Sequence, residues 1–503
     1  MPTYHVENFG CRATQADGAA LERQFESRGL AHASAAQADF VVLNTCTVTH
    51  AADQDARAAI RRVKRQNPLA KIVVTGCYAQ RAPQEIAALP GVTAVIGNSH
   101  KHQLADLTLG EAQICQENFV PIAMLVRFGQ QPTPDGRRSP YVSDIFAHTE
   151  LLAAPVFEPS NSHEDSPTRP NLKVQDGCDN RCSFCVIPSV RGHSRSLPLP
   201  QIIQEVNALV AAGYKELVIS GINLGRWGRD LDLGLQTSDH RRADASNRRP
   251  PTFEDLLRAI LDETKLEKLR ISSVEPMDWT DELIALVAGS PRIAKHAHVP
   301  LQSGSDAVLR RMHRKYRPWH YREKIEKIHA ATLTAAIGAD VMTGFPGETD
   351  AEFETTRRLI EDLPFTYLHV FTYSARPGTP AATMPNQVPV HVARERNKIL
   401  RDLAAGKKQR FMQSFVGKKL EAITLNNVQN SPGAYSNAAR PNPLAAGGQH
   451  GEIAQGTSVY TEALTDNYQK LILEGRHAPN RWIIAHIEEV KDGALLGTLG
   501  YAG

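Results

Sequence analysis

The sequence predicts an α/β protein in three parts: an N-terminal parallel α/β domain, a central partial (β/α)6 barrel and a C-terminal small β-barrel. Two separate blocks of the chain alternate apolar strand-like runs with helix-like stretches, a pattern that is typical of parallel sheets. From Phe415 onward, short β-like runs separated by glycine, asparagine and aspartate replace that alternation. A chain of 503 residues is long enough for about three domains of ordinary size.

The composition is ordinary for a soluble protein, with 42% hydrophobic residues, 22% charged residues and a net charge of +3. No apolar run approaches the ~18 residues of a membrane span, and the N-terminus lacks the basic-then-apolar order of a signal peptide. We therefore expect a cytoplasmic protein without a membrane partner. The net charge does not by itself indicate nucleic acid. The basic run at residues 310–317 is typical of either an RNA contact or a solvated helical face.

The N-terminal block places three cysteines just after strands. Strand-like runs span residues 4–8, 40–44 and 71–75, and helix-like stretches span residues 17–28 and 50–66. Cys11, Cys46 and Cys77 each follow one of these strands within three residues. Because the carboxyl ends of parallel strands share one edge of a sheet, we expect the thiols to converge on a three-thiolate site. Gly10 and Gly76 would let the backbone approach a bulky inorganic core. The alternative is three separate buried structural cysteines.

Residues 113–169 are predicted to form a linker with an insertion, because proline, serine and other polar residues dominate there. Cys115, at the start of this segment, has no partner at ligand spacing. We interpret it as incidental.

A second cysteine group lies in one short loop, where Cys178, Cys182 and Cys185 are three of only seven cysteines in the chain. Three thiolates can hold three irons of a [4Fe-4S] cluster and leave the fourth iron open. Zinc is the rival, but structural zinc usually takes four ligands, and no second Cys-x-x-Cys or His-x-x-x-His follows nearby. A disulfide framework is not typical of a long chain with so few cysteines.

This loop resembles the Cys-x-x-x-Cys-x-aromatic-Cys motif of the radical S-adenosylmethionine (SAM) superfamily, with Phe184 in the aromatic place. The resemblance implies that the open iron binds SAM. Two three-cysteine groups in this order are similar to the methylthiotransferases of that superfamily. In that family Cys11, Cys46 and Cys77 would hold an auxiliary [4Fe-4S] cluster, so that the cofactors would be two [4Fe-4S] clusters and SAM.

Within that family, residues 10–15 and 175–179 are most similar to the branch that acts on N(6)-threonylcarbamoyladenosine in tRNA. Thr14 departs from that branch, which commonly has asparagine there. The resemblance implies an enzyme that adds a methylthio group to carbon 2 of this nucleoside next to the anticodon. Its partners would be the tRNA anticodon loop, an unidentified electron donor and an unidentified sulfur source.

The central block is predicted to hold six parallel strands, with active-site residues at their carboxyl ends. The strands are predicted at residues 172–175, 216–220, 268–272, 295–299, 336–343 and 367–373, with helices at 200–212, 253–264 and 351–363 among others. The family resemblance implies SAM contacts from Asn223, Ser273, Glu275, His298 and Gln302. A single serine or histidine at a strand end is otherwise commonly hydrogen-bonded to backbone. Residues 226–251 are predicted to be a polar surface insertion.

The C-terminal part follows a basic helical stretch at residues 391–410 and has β-like runs at 420–425, 469–473 and 482–488. The resemblance implies a TRAM domain, a small RNA-binding barrel, here with a disordered insertion at residues 426–456. Tyr468 and Trp482 are expected either to stack on bases or to pack in the core. The predicted bounds are 1–112 for the N-terminal domain, 113–169 for the linker, 170–411 for the barrel and 412–503 for the TRAM-like domain.

Two alternatives stay open from the sequence. The first is a methylthiotransferase for another target, either an isopentenylated adenosine in tRNA or a ribosomal-protein aspartate. The second is an RNA-binding iron-sulfur sensor without catalysis. A sensor would not need polar residues together at the strand ends, so their pattern argues against it.

Overall fold

The computed structural model describes residues 1–114, 140–148, 168–231, 249–429 and 459–500. Cys115 lies outside the described residues. So do most of the predicted linker and most of the predicted insertions, at residues 115–139, 149–167, 232–248 and 430–458. Among the helices of the described ranges, none has the length and apolar character needed to cross a bilayer. The predicted fold class is confirmed: two parallel α/β units are followed by a closed five-stranded barrel.

The N-terminal unit is a five-stranded parallel sheet in the order β2-β1-β3-β4-β5. Its strands are β1 (Thr3–Asn8), β2 (Ala31–His32), β3 (Phe40–Thr45), β4 (Lys71–Gly76) and β5 (Val92–Gly97). Its helices are α1 (Arg12–Glu26), α2 (His50–Gln66), α3 (Cys77–Arg81), α4 (Pro83–Ala87) and α5 (Leu104–Ile114). Strand β3 is buried along its whole length, as its apolar sequence requires at the centre of a parallel sheet. Separate apolar clusters cover the two faces of the sheet.

Part of the predicted linker is packed against this unit. Tyr141 forms a parallel bridge to Ile96 of β5, and Ile145 is buried. Residues 140–148 therefore extend the edge of the N-terminal sheet before the chain enters the barrel.

The central unit is the expected half-barrel. Its strands are β6 (Asn171–Lys173), β7 (Gln175–Asp176), β8 (Arg195–Ser196), β9 (Glu216–Ser220), β10 (Lys268–Ile271), β11 (His296–His298), β12 (Ala336–Thr343) and β13 (Tyr367–Thr372). Its helices are α6 (Ile187–Arg191), α7 (Leu199–Ala211), α8 (Phe253–Glu263), α9 (Asp281–Gly289), α10 (Asp306–Arg311), α11 (Pro318–Ala331) and α12 (Asp350–Asp362). Strands β6, β9 and β10 form one parallel sheet and β11, β12 and β13 another, joined by a bridge between Leu269 and Ile293. The pair β7–β8 lies outside these six strands.

One prediction in this unit is wrong in part. Residues 226–251 were expected to form a polar surface insertion, but Trp227 is fully buried in the barrel core. Its indole nitrogen donates to the carbonyl of Leu197 at 2.9 Å. Arg229 and Asp230, which follow this anchor, are exposed, and the start of the segment departs from the expectation because burial of a large aromatic ring outweighs the polar character of its neighbours.

The C-terminal unit is a closed barrel in the order β14-β15-β16-β18-β17. Helix α13 (Val390–Gln413) leads into β14 (Lys419–Gln429), β15 (Tyr460–Thr465), β16 (Lys470–Glu474), β17 (Trp482–Lys491) and β18 (Ala494–Leu499). Residues 426–429, expected within the insertion, continue strand β14. Alternate residues of the strands fill a small apolar core that also receives Met412 and Phe415 from the end of α13 and the turn after it.

Candidate functional site

The cysteines Cys11, Cys46 and Cys77 lie at the carboxyl edge of three adjacent strands of the N-terminal sheet. The register pairs Asn8 with Asn44 and Asn44 with Thr75, so β1, β3 and β4 end at the same level. This edge is the arrangement that the strand-then-cysteine pattern predicted.

Two glycines allow this close approach. A Cβ atom on Gly10 would lie 2.6 Å from the Cβ of Cys46, and one on Gly76 would collide with the backbone of Thr45. Both glycines also have positive φ angles, 102° and 98°, which other residues rarely adopt. The backbone therefore folds tightly around Cys46 only because these two positions carry no side chain.

Burial and mutual proximity set the chemistry of these thiols. Burial, followed by the neighbouring Cys77 and Cys11, raises the pKa of Cys46 to about 12. A thiol whose ionised form the protein alone disfavours suits a bound cation, since iron would stabilise the Cys46 thiolate.

The second cysteine group, Cys178, Cys182 and Cys185, lies in the loop between β7 and α6. The backbone N–H of Cys185 donates to the carbonyl of Cys182 at 3.1 Å, and that of Asn180 donates to the Cys178 sulfur at 3.4 Å. Burial raises the pKa of Cys185 to about 12, and Cys182 and Cys178 add to the effect. The loop thus collects three thiols at the mouth of the half-barrel.

The number of ligands distinguishes an iron-sulfur cluster from a closed zinc site. Each cysteine group offers three thiols, whereas a closed structural zinc site takes four ligands. A [4Fe-4S] cluster can take one thiolate on each of three irons and leave the fourth iron open.

Arg314 is a residue of this site that sequence reasoning missed. Its side chain, 5% exposed, donates from Nη1 to the Cys182 sulfur at 3.3 Å and forms an ion pair with Glu275. Burial works against its charge, but Tyr316, Glu275 and Cys182 raise its pKa well above the usual value. The interpretation of residues 310–317 as a solvated helical face is therefore wrong at this position. The only sequence signal was that Arg314 stands in alternation with Met312 and Tyr316. In the structure all three side chains are buried.

The predicted SAM contacts lie at the carboxyl ends of the barrel strands. Asn223 follows β9, and its amide nitrogen is 3.7 Å from the Cys178 sulfur. Ser273 follows β10 and contacts Nδ1 of His298 at 2.7 Å. Gln302 has a left-handed backbone, with φ 62°, and its N–H donates to the carbonyl of Asp340 at 2.8 Å.

Glu275, the fifth predicted contact, and Phe184 of the cysteine loop have protein partners. The carboxylate of Glu275 is held by Arg314. The ring of Phe184 packs edge-on against Phe345, 6.3 Å between centroids, under the cysteine loop. Phe184 is thus placed as a packing residue that supports the loop.

Several buried polar atoms at this barrel end have no hydrogen-bond partner in the described structure. They are Asn223 Oδ1, His298 Nε2, Gln302 Oε1 and Ser220 Oγ. The nearest carboxylate oxygen to His298 Nε2 is Asp340 Oδ1, at 3.4 Å. Buried polar atoms are normally paired, so a concentration of unpaired ones at strand ends fits a polar ligand such as SAM.

The two cysteine groups face each other across the interface between the units. Cys77 packs in one apolar cluster with Val186 and Val190, and Val186 follows Cys185 directly. Asn98 donates to the Val190 carbonyl at 2.7 Å and lies 3.6 Å from the Cys77 sulfur. The cysteine loop of the barrel is therefore in direct contact with the cysteine edge of the N-terminal sheet.

A buried network of charges fixes this interface. Asp17 of α1 binds Lys101 at 3.0 Å, Arg191 at 3.1 Å and Lys173. Asp176 in turn binds Lys173 at 2.7 Å and Arg191 at 2.9 Å. All five side chains are at least nine-tenths buried. Because each charge has opposite partners within hydrogen-bond distance, the network holds α1 to the strand and loop that lead to Cys178.

A second ion pair joins the same two units. Arg376, which follows β13, binds Asp53 of α2 and donates to Thr47 Oγ1 at 3.1 Å. Thr47 follows Cys46 directly in the chain. The polar contacts at this interface thus reach the segments next to Cys46 and Cys178.

The C-terminal barrel is docked on the half-barrel through Tyr468. Its ring lies 4.5 Å from that of His296, and its hydroxyl accepts from Arg12 at 3.1 Å. The guanidinium of Arg270 lies over the same ring. Of the two expectations for Tyr468, packing is the one observed. The ring of Trp482 lies under Lys268, 5.0 Å from its ammonium, in an open groove.

Comparisons with known proteins agree with this architecture. Residues 3–97 match the family described as "Uncharacterized protein family UPF0004", and residues 172–360 match the radical SAM superfamily. The fold is similar to a solved structure of the radical SAM methyltransferase TsrM from Kitasatospora setae with cobalamin and a [4Fe-4S] cluster bound. That similarity has a TM-score of 0.51 at 15% identity and covers 76% of this chain and 77% of TsrM.

Curated relatives cover most of the chain. The threonylcarbamoyladenosine tRNA methylthiotransferase MtaB of Bacillus subtilis is 36% identical over 84% of this chain and 85% of its own length. The protein of that name from Rickettsia prowazekii is 35% identical over 84% of this chain and 87% of its own. The tRNA-2-methylthio-N(6)-dimethylallyladenosine synthase of Novosphingobium aromaticivorans is 34% identical over 84% and 86%. The chain therefore belongs to the radical-SAM tRNA methylthiotransferase family.

Proposed function

We propose that this enzyme adds a methylthio group to carbon 2 of N(6)-threonylcarbamoyladenosine next to the anticodon of tRNA. The observation that carries the proposal is the pair of three-cysteine groups at facing carboxyl edges of two parallel α/β units. Relatives named for this reaction match the chain over 84% of its length at 35% and 36% identity.

The six cysteines are proposed to hold two [4Fe-4S] clusters. Cys178, Cys182 and Cys185 would ligate the cluster that binds SAM, and Cys11, Cys46 and Cys77 the auxiliary cluster. When bound, this cofactor set supplies the radical chemistry that removes hydrogen from an unactivated carbon and the sulfur that replaces it. The protein supplies position, charge and exclusion of water.

The residues around the barrel mouth have separate proposed tasks. Arg314 places a buried positive charge beside the Cys182 sulfur, where it would offset the negative charge of ligating thiolates. Asn223, Ser273, Glu275, His298 and Gln302 are proposed to bind the polar groups of SAM, with Phe184 supporting the loop beneath. The unpaired Asn223 Oδ1, His298 Nε2 and Gln302 Oε1 are the atoms through which such contacts would form. The Ser273–His298 contact fixes the imidazole ring before any ligand binds.

The C-terminal barrel, residues 412–503 in the proposed division, would hold the tRNA while the anticodon loop reaches the barrel mouth. Loop bases are already unpaired, so turning one base into a pocket costs at most a few kcal/mol. A cytoplasmic location, an unidentified electron donor and an unidentified sulfur source complete the proposal.

A second target has its own support. The dimethylallyladenosine synthase of Novosphingobium aromaticivorans is 34% identical, close to the values for the threonylcarbamoyladenosine enzymes. An isopentenylated adenosine is therefore the alternative substrate.

Mass spectrometry of tRNA nucleosides from cells with and without this gene tests the proposal. We expect 2-methylthio-N(6)-threonylcarbamoyladenosine to disappear on deletion while its unmodified precursor accumulates. Loss of the methylthiolated isopentenyl nucleoside instead would replace the proposed substrate by the alternative one. Unchanged tRNA in both respects would refute a tRNA target.

A further inference from the structure

A small, partly open cavity lies at the interface between the N-terminal unit and the half-barrel. Its volume is about 20 Å³, which is enough for one small molecule or ion, since a single water needs roughly 10–15 Å³ on the same measure. It is lined by the charge network described above and by Asn98 and Arg195. No step of the proposed reaction uses this cavity.

Positive charge dominates its lining. Lys101, Lys173, Arg191 and Arg195 contribute four cations, against the carboxylates of Asp17 and Asp176. His102 and His148 complete the wall, and they add further positive charge only if protonated. The two carboxylates are already engaged by Lys101, Lys173 and Arg191. With neutral histidines, two positive charges therefore remain in excess around the cavity.

The same wall contains buried polar atoms without a partner. They are Nε of Arg191, Nε of Arg195 and Oδ1 of Asn98. Arg191 is 2% exposed, and its two terminal nitrogens are both occupied by Asp17 and Asp176. Two unsatisfied guanidinium N–H donors require an acceptor, and the unsatisfied amide oxygen requires a donor. A halide could only accept, whereas a species with one proton and a negative charge could do both.

The cavity is one side chain away from the N-terminal cysteines. Asn98, which lines it, also lies 3.6 Å from the Cys77 sulfur through its amide nitrogen. Arg191 belongs to helix α6, whose Val190 packs against Cys77. An ion held here would therefore sit beside the proposed auxiliary cluster without touching substrate.

We propose that this cavity is a binding site for one small inorganic anion and that it takes hydrosulfide. Anion binding follows from the charge and the unsatisfied donors. The choice of hydrosulfide rests on the proposed function, because the added group needs a reduced sulfur species supplied close to Cys11, Cys46 and Cys77. Hydrosulfide also carries the single S–H donor that Asn98 Oδ1 can accept. No bond is made or broken at this site; it holds the ion near its place of use.

Bromide is the probe for the first test, because its anomalous scattering locates it in crystals. Anaerobically reconstituted full-length protein would be crystallised and soaked in a series of bromide concentrations. We expect an anomalous peak between Arg191, Arg195 and Asn98 that hydrosulfide, added in competition, removes. Ordered water only at this position would overturn the proposal, and so would a bromide peak that hydrosulfide does not displace.

A variant pair adds a second test. Arg195→Gln removes one lining cation but leaves the ion pairs among Asp17, Lys173 and Arg191 intact. Because a charged donor is lost, we expect half-occupancy by bromide to need about a tenfold higher bromide concentration. Arg61→Gln, an exposed residue of α2, is the matched control and should bind bromide as the wild type does. Equal occupancy in both variants would refute the site. Formation of methylthiolated nucleoside is measured separately, so that its absence in the wild type would count against the proposed function and not against anion binding.

Discussion

Arg314 contacts the barrel cysteines although no sequence motif indicated this role. It connects a cysteine sulfur of the barrel loop to Glu275, and both contacts are largely shielded from solvent. Removing one partner of a buried pair leaves the other charge uncompensated, which typically costs about 3 kcal/mol.

We expect Arg314→Met to lower the free energy of unfolding by about 3 kcal/mol and to make the cluster at Cys178, Cys182 and Cys185 harder to reduce. The physical reason for the second effect is the loss of a buried positive charge beside a thiolate ligand. Urea denaturation and a redox titration of the loaded protein measure the two quantities. Arg310→Met is the control, since that side chain is 63% exposed and pairs only with Asp306 at the surface. Equal reduction potentials in both variants would contradict the role of Arg314.

At the residue scale, motif spacing predicts the cysteines well but not the groups that surround them. The cysteines can be recognised from their residue type and their spacing along the chain. Arg314 lies in a run of basic residues, and no motif indicates the left-handed backbone of His313 before it, with φ 57°. Asp17 could not be recognised from the sequence either, because its partners lie 84 to 174 residues away.

Helix α1 is the element that ties the N-terminal unit to the half-barrel, through Asp17. Burial alone would raise the pKa of this carboxyl, but Lys101, Lys173 and Arg191 outweigh burial and lower it below its usual range. A carboxyl with a lowered folded-state pKa contributes stability that is present above its unfolded pKa of about 3.9 and is lost as the pH falls through the folded value.

We therefore expect Asp17→Asn to destabilise the protein by about 3 kcal/mol at pH 7, and the difference from the wild type to shrink in acid below about pH 4. Urea denaturation across a pH series measures both. Asp106→Asn, an exposed partner of Arg28, should show neither effect. A penalty for Asp17→Asn that stays constant down to low pH would contradict the ionic role of the network.

The turn that carries Tyr468 is the element that docks the C-terminal barrel. We expect Tyr468→Ala to loosen this barrel, with faster amide hydrogen exchange in β15 and β16, at a cost of about 2–3 kcal/mol. Iron content should stay at the wild-type level, because the cysteines are on other units. Tyr460→Ala, on β15 but away from the half-barrel contact, is the control. Unchanged exchange in the Tyr468 variant would show that the docking depends on other contacts.

Element positions were predictable where apolar periodicity was strong. Strands β9 and β12 and helix α2 have the predicted bounds. Strand β5 at the sheet edge and strands β15 and β18 of the small barrel were not predicted. Each is only six residues long and its apolar residues do not alternate strictly, so that pairing with neighbouring strands fixes it.

At the scale of the whole molecule, one chain is proposed to hold two separate clusters. Anaerobically reconstituted protein should carry about eight irons, two [4Fe-4S] units. The combined replacement of Cys178, Cys182 and Cys185 by alanine should leave about four. Iron analysis with acid-labile sulfide measures this directly. A wild type that never exceeds four irons, or a triple variant that keeps all its iron, would be incompatible with two sites.

The contact between the two cysteine groups fixes how the N-terminal unit and the half-barrel are placed against each other. The interface charges, the Arg376–Asp53 pair and the Cys77–Val186 packing all hold the N-terminal edge against the barrel mouth. A substrate base at that mouth would therefore meet both clusters without a large movement of either unit.

We propose that the barrel cysteines hold the cluster that starts the radical and that the N-terminal cysteines hold the cluster that delivers sulfur. One reaction tests this separation of roles most directly. Cys46→Ala, reduced in the presence of SAM and tRNA, should still form 5′-deoxyadenosine but no methylthiolated nucleoside, whereas Cys182→Ala should form neither. Both products are quantified from the same reaction by mass spectrometry, with circular dichroism confirming that each variant is folded. Methylthiolated tRNA from Cys46→Ala at near wild-type yield would contradict the claim that the N-terminal cysteines hold the sulfur-delivering cluster.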